Sequence, residues 1–228
     1  MVSLVDSTAC QFIKSNFILS LMVLFLSCNN EKESKSQEDV LPFYNTAEFD
    51  AEWISANDSS FGKIHTIDTF TLTDQLGSRF TSDSLRGNIY VANFFFTSCP
   101  GICPKMMSNL EILQDSFAHT EDLKLVSFSV MPWVDSVSRL KEYGELHHIN
   151  SKKWHLLTGK KEKIYTLGRK SYFAEKGLGI QKDSTEFMHT ESMLLIDKLS
   201  RIRGIYNATQ RPDLERITDD IRILLKEQ

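Results

Sequence analysis

The run from Asn88 to Thr97, NIYVANFFFT, limits the possible folds more than any other stretch of this chain. It is almost continuously apolar and rich in aromatic and β-branched residues, without polar alternation. That pattern predicts a central strand buried on both faces, which needs cover on either side. The segment KMMSNLEILQDSFAHT follows shortly after, with Met106, Leu110, Leu113 and Phe117 spaced as one apolar face of a helix. Pro104 suits its first turn. Further along, Leu123 to Val130 reads as a strand, Asp135 to Leu146 as a helix, Trp154 to Leu157 as a short strand and Lys160 to Leu167 as a helix. Ser192 to Ile196 and Arg201 to Tyr206 read as a strand and its hairpin partner, and Asp213 to Lys226 as a closing helix. Upstream, Phe70 to Arg86 reads as a hairpin turning at Asp74 to Gly77. Strands alternating with helices imply an α/β sandwich with parallel pairing at its centre.

Between the buried strand and its helix lies SCPGICPK, which sets Cys99 and Cys103 four positions apart, each followed by proline. On a helical turn this spacing brings both sulfurs to one side, and it is compatible with a disulfide. The positive end of the helix favours thiolate over thiol at Cys103, raising its nucleophilicity and metal affinity. A purely structural disulfide is the plainer alternative in an exported protein. So small a loop constrains the unfolded chain only weakly, however, so a site with a chemical role is favoured.

The other two cysteines, Cys10 and Cys28, belong to the N-terminal region. There FILSLMVLFLS, Phe17 to Ser27, follows Lys14 and ends at Cys28. As a helix it would reach roughly 16 Å, short of the roughly 30 Å core of a bilayer. A short apolar core behind a positive charge, with a small residue before the break, has the layout of a secretory signal. A cysteine directly after it resembles a bacterial lipoprotein signal, which implies lipidation at Cys28; Phe25 and Leu26 fit that pattern only loosely. The chain is therefore expected on the exported, periplasmic side of a bacterial membrane. Polar Asn29 to Asp39 is too rich in Glu, Lys, Ser and Gln to bury anything. The expected organisation is a signal over residues 1–28, a polar tether and N-terminal extension over 29–60, and one globular domain over 61–228. A net charge of −4, without any long basic run, argues against a nucleic-acid partner.

Two thiolates make an incomplete metal site. Among the six histidines, His119, His147 and His148 read as cations near helix C-termini, while His155 and His65 have no supporting context. His189 lies in the polar connection KDSTEFMHTE just before the strand at Ser192, from which it could reach the sheet end that carries the cysteines.

At this point the chain resembles the Sco/SenC family of thioredoxin-fold copper proteins that assemble cytochrome c oxidase. The likeness rests on FTLTDQLGSRFTSDSLRGNIYVANFFFTSCPGICPKMMSNL, VSFSVMPWVDSVSRLKEYGE, WHLLTG and HTESMLLIDKLSRIRGIYN, in that order, and covers Phe70 to Lys226. It implies a thioredoxin-like sandwich, a central mixed sheet flanked by helices with an N-terminal β-hairpin extension. It also implies that Cys99, Cys103 and His189 bind one copper, Cu(I) or Cu(II), and that the cysteines cycle through a disulfide. The partners implied are the CuA-bearing subunit of a respiratory oxidase and an upstream copper donor or thiol reductant, with the membrane held through a lipid on Cys28. Met131-Pro132 stands where many members have Asp-Pro. Met188, Gly101 and Ile102 occupy positions often acidic in the family, which leaves the site less negative.

Two soft thiolates and an imidazole suit copper, and an open three-ligand site can pass its metal on. The resulting expectation is a copper chaperone rather than an enzyme. A thiol-disulfide oxidoreductase acting on cysteines of an oxidase subunit or another exported protein is the alternative. A peroxidase of the peroxiredoxin type is disfavoured, because neither cysteine has the threonine three residues upstream that such a site uses.

Overall fold

The structure is a computed structural model and describes residues 40–174 and 191–227. The chain divides between Asp39 and Val40, and every element described here belongs to the second unit. The signal-like Phe17 to Ser27 segment, Cys28 and His189 all lie outside the described residues.

In chain order the strands are β1 (Phe43–Tyr44), β2 (Ala51–Glu52), β3 (Thr71–Asp74), β4 (Arg79–Thr81), β5 (Ile89–Phe95), β6 (Leu123–Ser129), β7 (Trp154–Thr158), β8 (Ser192–Ile196) and β9 (Ile202–Asn207). The helices are α1 (Ile102–Ser116) after β5, α2 (Val137–Leu146) after β6, α3 (Lys161–Lys170) after β7 and α4 (Arg211–Lys226) after β9. Each element expected from the sequence is present, with ends shifted by a few residues. One shift matters: the second helix starts at Val137 behind the N-cap Ser136, whose hydroxyl accepts the Arg139 N–H, so Asp135 lies outside it.

Seven strands form one mixed sheet in the order β4-β3-β7-β6-β5-β8-β9. β5, β6 and β7 are parallel neighbours, whereas β3 and β8 flank them antiparallel. Every residue of β5 is buried, as its uninterrupted apolar sequence requires. A polar thread runs across the central strands: the Trp154 indole N–H donates to Ser127 Oγ at 2.8 Å, and the Ser127 hydroxyl donates to Asn93 Oδ1 at 2.6 Å. The β3–β4 hairpin turns where expected. Gly77 adopts φ +79°, and the Asp74 carboxylate accepts the N–H groups of Leu76 and Ser78.

The packed unit begins upstream of residue 61. Leu41, Phe43 and Ala47 are buried, β1 pairs with β2 in a small antiparallel sheet, and the strap is pinned to β9 by Arg203. The Arg203 guanidinium donates to the carbonyls of Leu41 (2.7 Å) and Pro42 (3.0 Å) and pairs with Asp197 and Glu227.

For the site, the key consequence of the topology is where strands end. The parallel trio delivers three C-terminal ends to one edge of the sheet, and Phe95 pairs there with Ser129. β8 runs the opposite way beside β5, so its first residue, Ser192, sits at that same edge. Among the described residues no helix is long and apolar enough to cross a membrane.

Candidate metal centre

The site grows from the end of β5. Past Phe95 the chain turns, with the Cys99 N–H donating to the Phe96 carbonyl at 3.3 Å, and enters α1 at Ile102. Cys99 therefore sits in the turn, while Cys103 is in the first helical turn. Both are free thiols; Cys103 is buried and Cys99 partly exposed. The turn nevertheless brings the sulfurs together, because the Cys103 thiol donates a hydrogen bond to Cys99.

The two thiols are shifted in opposite directions. Burial pulls the Cys99 thiol up, but hydrogen bonds from the backbone and thiol of Cys103 and from the N–H groups of Gly101 and Ile102 outweigh it and hold it below the ordinary range. Burial pushes the Cys103 thiol up to about 12, against one N–H from Phe96 and with help from the negative charge of Cys99 and Asp135. This corrects the expectation that the helix end favours thiolate at Cys103. The first-turn amides point back at Cys99, which lies ahead of the helix start, whereas Cys103 is part of the turn and sinks into the core.

Beneath the turn lies Asp135, with 0% exposure. Its carboxylate accepts the Thr97 hydroxyl at 2.6 Å, the Ser129 hydroxyl at 2.5 Å and the Thr97 N–H at 3.3 Å. The Arg139 guanidinium stands 3.9 Å from the same carboxylate and donates to Thr97 Oγ1 at 2.6 Å. A buried carboxylate thus ties the end of β5, the end of β6 and the start of α2 together. The region below the cysteines is accordingly less depleted of negative charge than Met131, Gly101 and Ile102 imply. Sequence reading missed Asp135 by placing it inside the helix; its signal was Asp-Ser directly before an apolar helical pattern, where Ser136 rather than Asp135 caps. Tyr143 was missed as well. Its hydroxyl is pushed up by burial and by the charges of Cys103, Cys99, Asp135 and Glu111, which surround it.

The histidines separate cleanly. His65 bonds through Nε2 to the Ser171 carbonyl at 2.8 Å, and His147 pairs through Nδ1 with Glu111 at 2.6 Å as the C-cap residue of α2. His155 packs against Phe80 within the sheet, and burial lowers its pKa. None of these joins the cysteines: among the described residues no three His, Cys, Asp or Glu side chains converge as a metal site. The thiol pair supplies two soft donors at the rim.

The family model for SCO1/SenC matches residues 59–226. A relative from Bacillus subtilis, called a SCO1 protein homolog, is 28% identical over 160 residues, which is 68% of this chain and 81% of that one. Among solved structures, a SCO1/SenC family lipoprotein from Bacillus anthracis matches with a TM-score of 0.63 at 29% identity, over 71% of this chain and 96% of the other. BsSco, described as a Sco-family cytochrome c oxidase assembly protein with a disulfide switch, matches with a TM-score of 0.62 at 27% identity, over 72% and 96%. Arabidopsis thaliana ScoI, solved with copper bound, matches with a TM-score of 0.55 at 25% identity, over 71% and 98%. A thioredoxin-like mixed sheet, a cysteine pair at the end of its central strand and a family match across most of the described residues lead to one conclusion: the chain belongs to the SCO1/SenC family.

Proposed function

We propose that this chain is an exported copper chaperone, tethered to a membrane through a lipid on Cys28. It binds one copper through Cys99, Cys103 and His189 and delivers it to the CuA-bearing subunit of a respiratory oxidase. The observation that carries this reading is the pair of free thiols at the sheet rim, within hydrogen-bond reach of each other, one held toward thiolate by backbone amides. Copper-bound ScoI, the oxidase-assembly role given to BsSco and the lipoprotein from Bacillus anthracis support the cargo, the acceptor and the anchor respectively.

The donor set fits the cargo. Two thiolates and an imidazole are soft enough for Cu(I) and also hold Cu(II). His189 precedes Glu191 by two residues, at most about 7 Å of chain, and β8 starts at the cysteine edge. Uptake of Cu(I) displaces the protons the two thiols carry, and Cys99, held below the ordinary range by backbone amides, gives its proton up more readily than Cys103. Release follows either exchange onto an acceptor's thiolates or loss of two electrons to an oxidant, which joins Cys99 and Cys103 in a disulfide and leaves copper only the imidazole.

One observation favours a second reading. A low thiol beside a high, protonated one is the arrangement of an attacking and a resolving cysteine, so a thiol-disulfide oxidoreductase would use the same pair without His189. An anaerobic copper titration of the reduced chain beside His189→Ala separates the two. Saturation at one copper per chain, with the thiolate-to-Cu(II) absorption band lost or displaced in the variant, supports the chaperone. Absence of stoichiometric binding, with the cysteines still exchanging with a dithiol, puts the oxidoreductase in front.

A further inference from the structure

The loop that follows β6 emerges beside the cysteine turn. It is rigidly made: Val134 and Asp135 donate backbone bonds to the Met131 carbonyl at 2.8 and 2.9 Å, the Met131 N–H donates to Ser129 Oγ at 3.2 Å, and Asp135 anchors its far end. Yet this ordered loop leaves the Trp133 side chain in solvent, with 59% of the residue exposed. A large ring presented on a fixed loop costs little entropy on binding, which is why tryptophan is enriched among residues that dominate interfaces.

The charge around Trp133 is as informative. Each strand of the parallel trio passes into a helix at this edge, so the N-termini of α1, α2 and α3 all open here. Helix ends of this polarity favour Asp and Glu and disfavour Lys and Arg. The first turns of α1 and α2 nevertheless hold no acidic residue, and carry Lys105 and Arg139 instead. α3 opens with Lys160 and Lys161 against a single acid, Glu162, and the Lys161 ammonium stands 5.1 Å from the centre of the Trp133 ring. Among the described residues, three carboxylates at this edge are engaged within the fold. Asp135 is buried against Thr97, Ser129 and Arg139; Glu191 accepts from Asn207 and Thr209; and Asp213 accepts from Asn207 and Arg216. A chain of net charge −4 thus sets Lys105, Arg139, Lys160 and Lys161 at helix N-termini, where helix electrostatics oppose them, with an exposed indole beside Lys161 on the loop that borders the cysteine turn.

We infer that Trp133, with Lys161 beside its ring and Arg139 and Lys160 at the same sheet edge, forms the docking surface for the protein that exchanges copper or electrons with Cys99 and Cys103. The complementary face of that protein is acidic, with an apolar slot for the indole. This rests on the proposed function for the choice of partner. Docking here sets the acceptor's ligands over the partly exposed Cys99, and the opposite charges speed encounter in a salt-dependent way.

The full chain in detergent is titrated, metal-free and again loaded with Cu(I), with the soluble CuA-bearing domain of its own host's oxidase. In parallel it is titrated with vesicles of equal parts phosphatidylcholine and phosphatidylglycerol, since indole and lysine also suit an anionic membrane surface. Trp133→Ala is expected to weaken acceptor binding about tenfold or more. Lys160→Glu is expected to weaken it and to flatten its salt dependence, and both variants are expected to keep the affinity for free Cu(I). Acceptor binding unchanged in Trp133→Ala overturns the inference, and so does a wild type that binds the vesicles but not the acceptor domain. A wild type that takes up no copper overturns the proposed function instead, while the metal-free titration still reads the docking surface.

Discussion

Cys99 and Cys103 are alike in the motif and differ in their neighbours. Three backbone N–H groups and the other thiol converge on Cys99, whereas Cys103, in the first turn of α1, is packed into the core with Asp135 and Tyr143 nearby. Since the thiolate is the reactive form, iodoacetamide at neutral to mildly alkaline pH is expected to label Cys99 many times faster than Cys103. The labelling rate of Cys99 is expected to level off below the pH at which an ordinary thiol ionises, while that of Cys103 is expected to keep rising to about pH 12. Mass spectrometry of peptides labelled across a pH series reads both curves, and equal rates would contradict the asymmetry. The motif alone announced a reactive pair. It could not announce which sulfur the amides serve, because that depends on the helix starting at Ile102, three residues after Cys99 and one before Cys103. Asp135 was illegible for a related reason: a helix boundary misplaced by two residues turns a buried anchor into an ordinary first-turn acid.

At the level of elements, sequence patterning was most informative where burial is one-sided or total. The β5 segment reads as a strand because nothing in it tolerates water, and α1 reads as a helix because Met106, Leu110 and Leu113 lie on one buried face. The contact between β5, β6 and α2 is held by polar groups from distant positions, which no local period reports. Asp135 bonds to Thr97, 38 residues away, and its carbonyl accepts the Thr158 hydroxyl from β7 at 2.9 Å. Asp135→Ala would leave the hydroxyls of Thr97 and Ser129 without their acceptor and remove the carboxylate facing Arg139. Losing one member of such a buried charged network costs about 3 kcal/mol or more. Urea unfolding is expected to show that loss, and Asp135→Asn, which keeps an acceptor oxygen, is expected to recover part of it. A change within about 0.5 kcal/mol in Asp135→Ala would mean that the turn is held by packing alone.

Across the whole molecule, the interior carries more tyrosine hydroxyl than a sequence pattern reveals, and this sets the alkaline limit of the fold. Tyr90 on β5 and Tyr172 beyond α3 are completely buried with their oxygens 3.0 Å apart, and Tyr206 on β9 donates to Asp220 on α4 at 2.6 Å. Burial is the largest cause raising all three; the Tyr90 hydroxyl adds to it at Tyr172 and the Asp220 carboxylate at Tyr206, while at Tyr90 the hydrogen bond with Tyr172 offsets part of it. Because the folded values lie above the unfolded value near 10, this stability is fully present below pH 10 and is lost as pH climbs toward the folded values, for the unfolded chain alone releases the protons. Cys103 adds to the loss from about pH 9. Each such group costs up to about 1.4 kcal/mol per pH unit well above its unfolded value and about 1 kcal/mol over the first unit, so three tyrosines remove about 3 kcal/mol between pH 10 and 11. Urea melts from pH 8 to 11 are expected to trace that decline with midpoints falling ever more steeply. The double variant Tyr90→Phe/Tyr172→Phe removes two titrating hydroxyls together, leaving neither without its partner. Its decline is expected to be shallower by about two protons' worth above pH 10. An unchanged slope in the double variant would show that the two hydroxyls ionise in the folded state as readily as in the unfolded chain, and that the interior around β5 admits water.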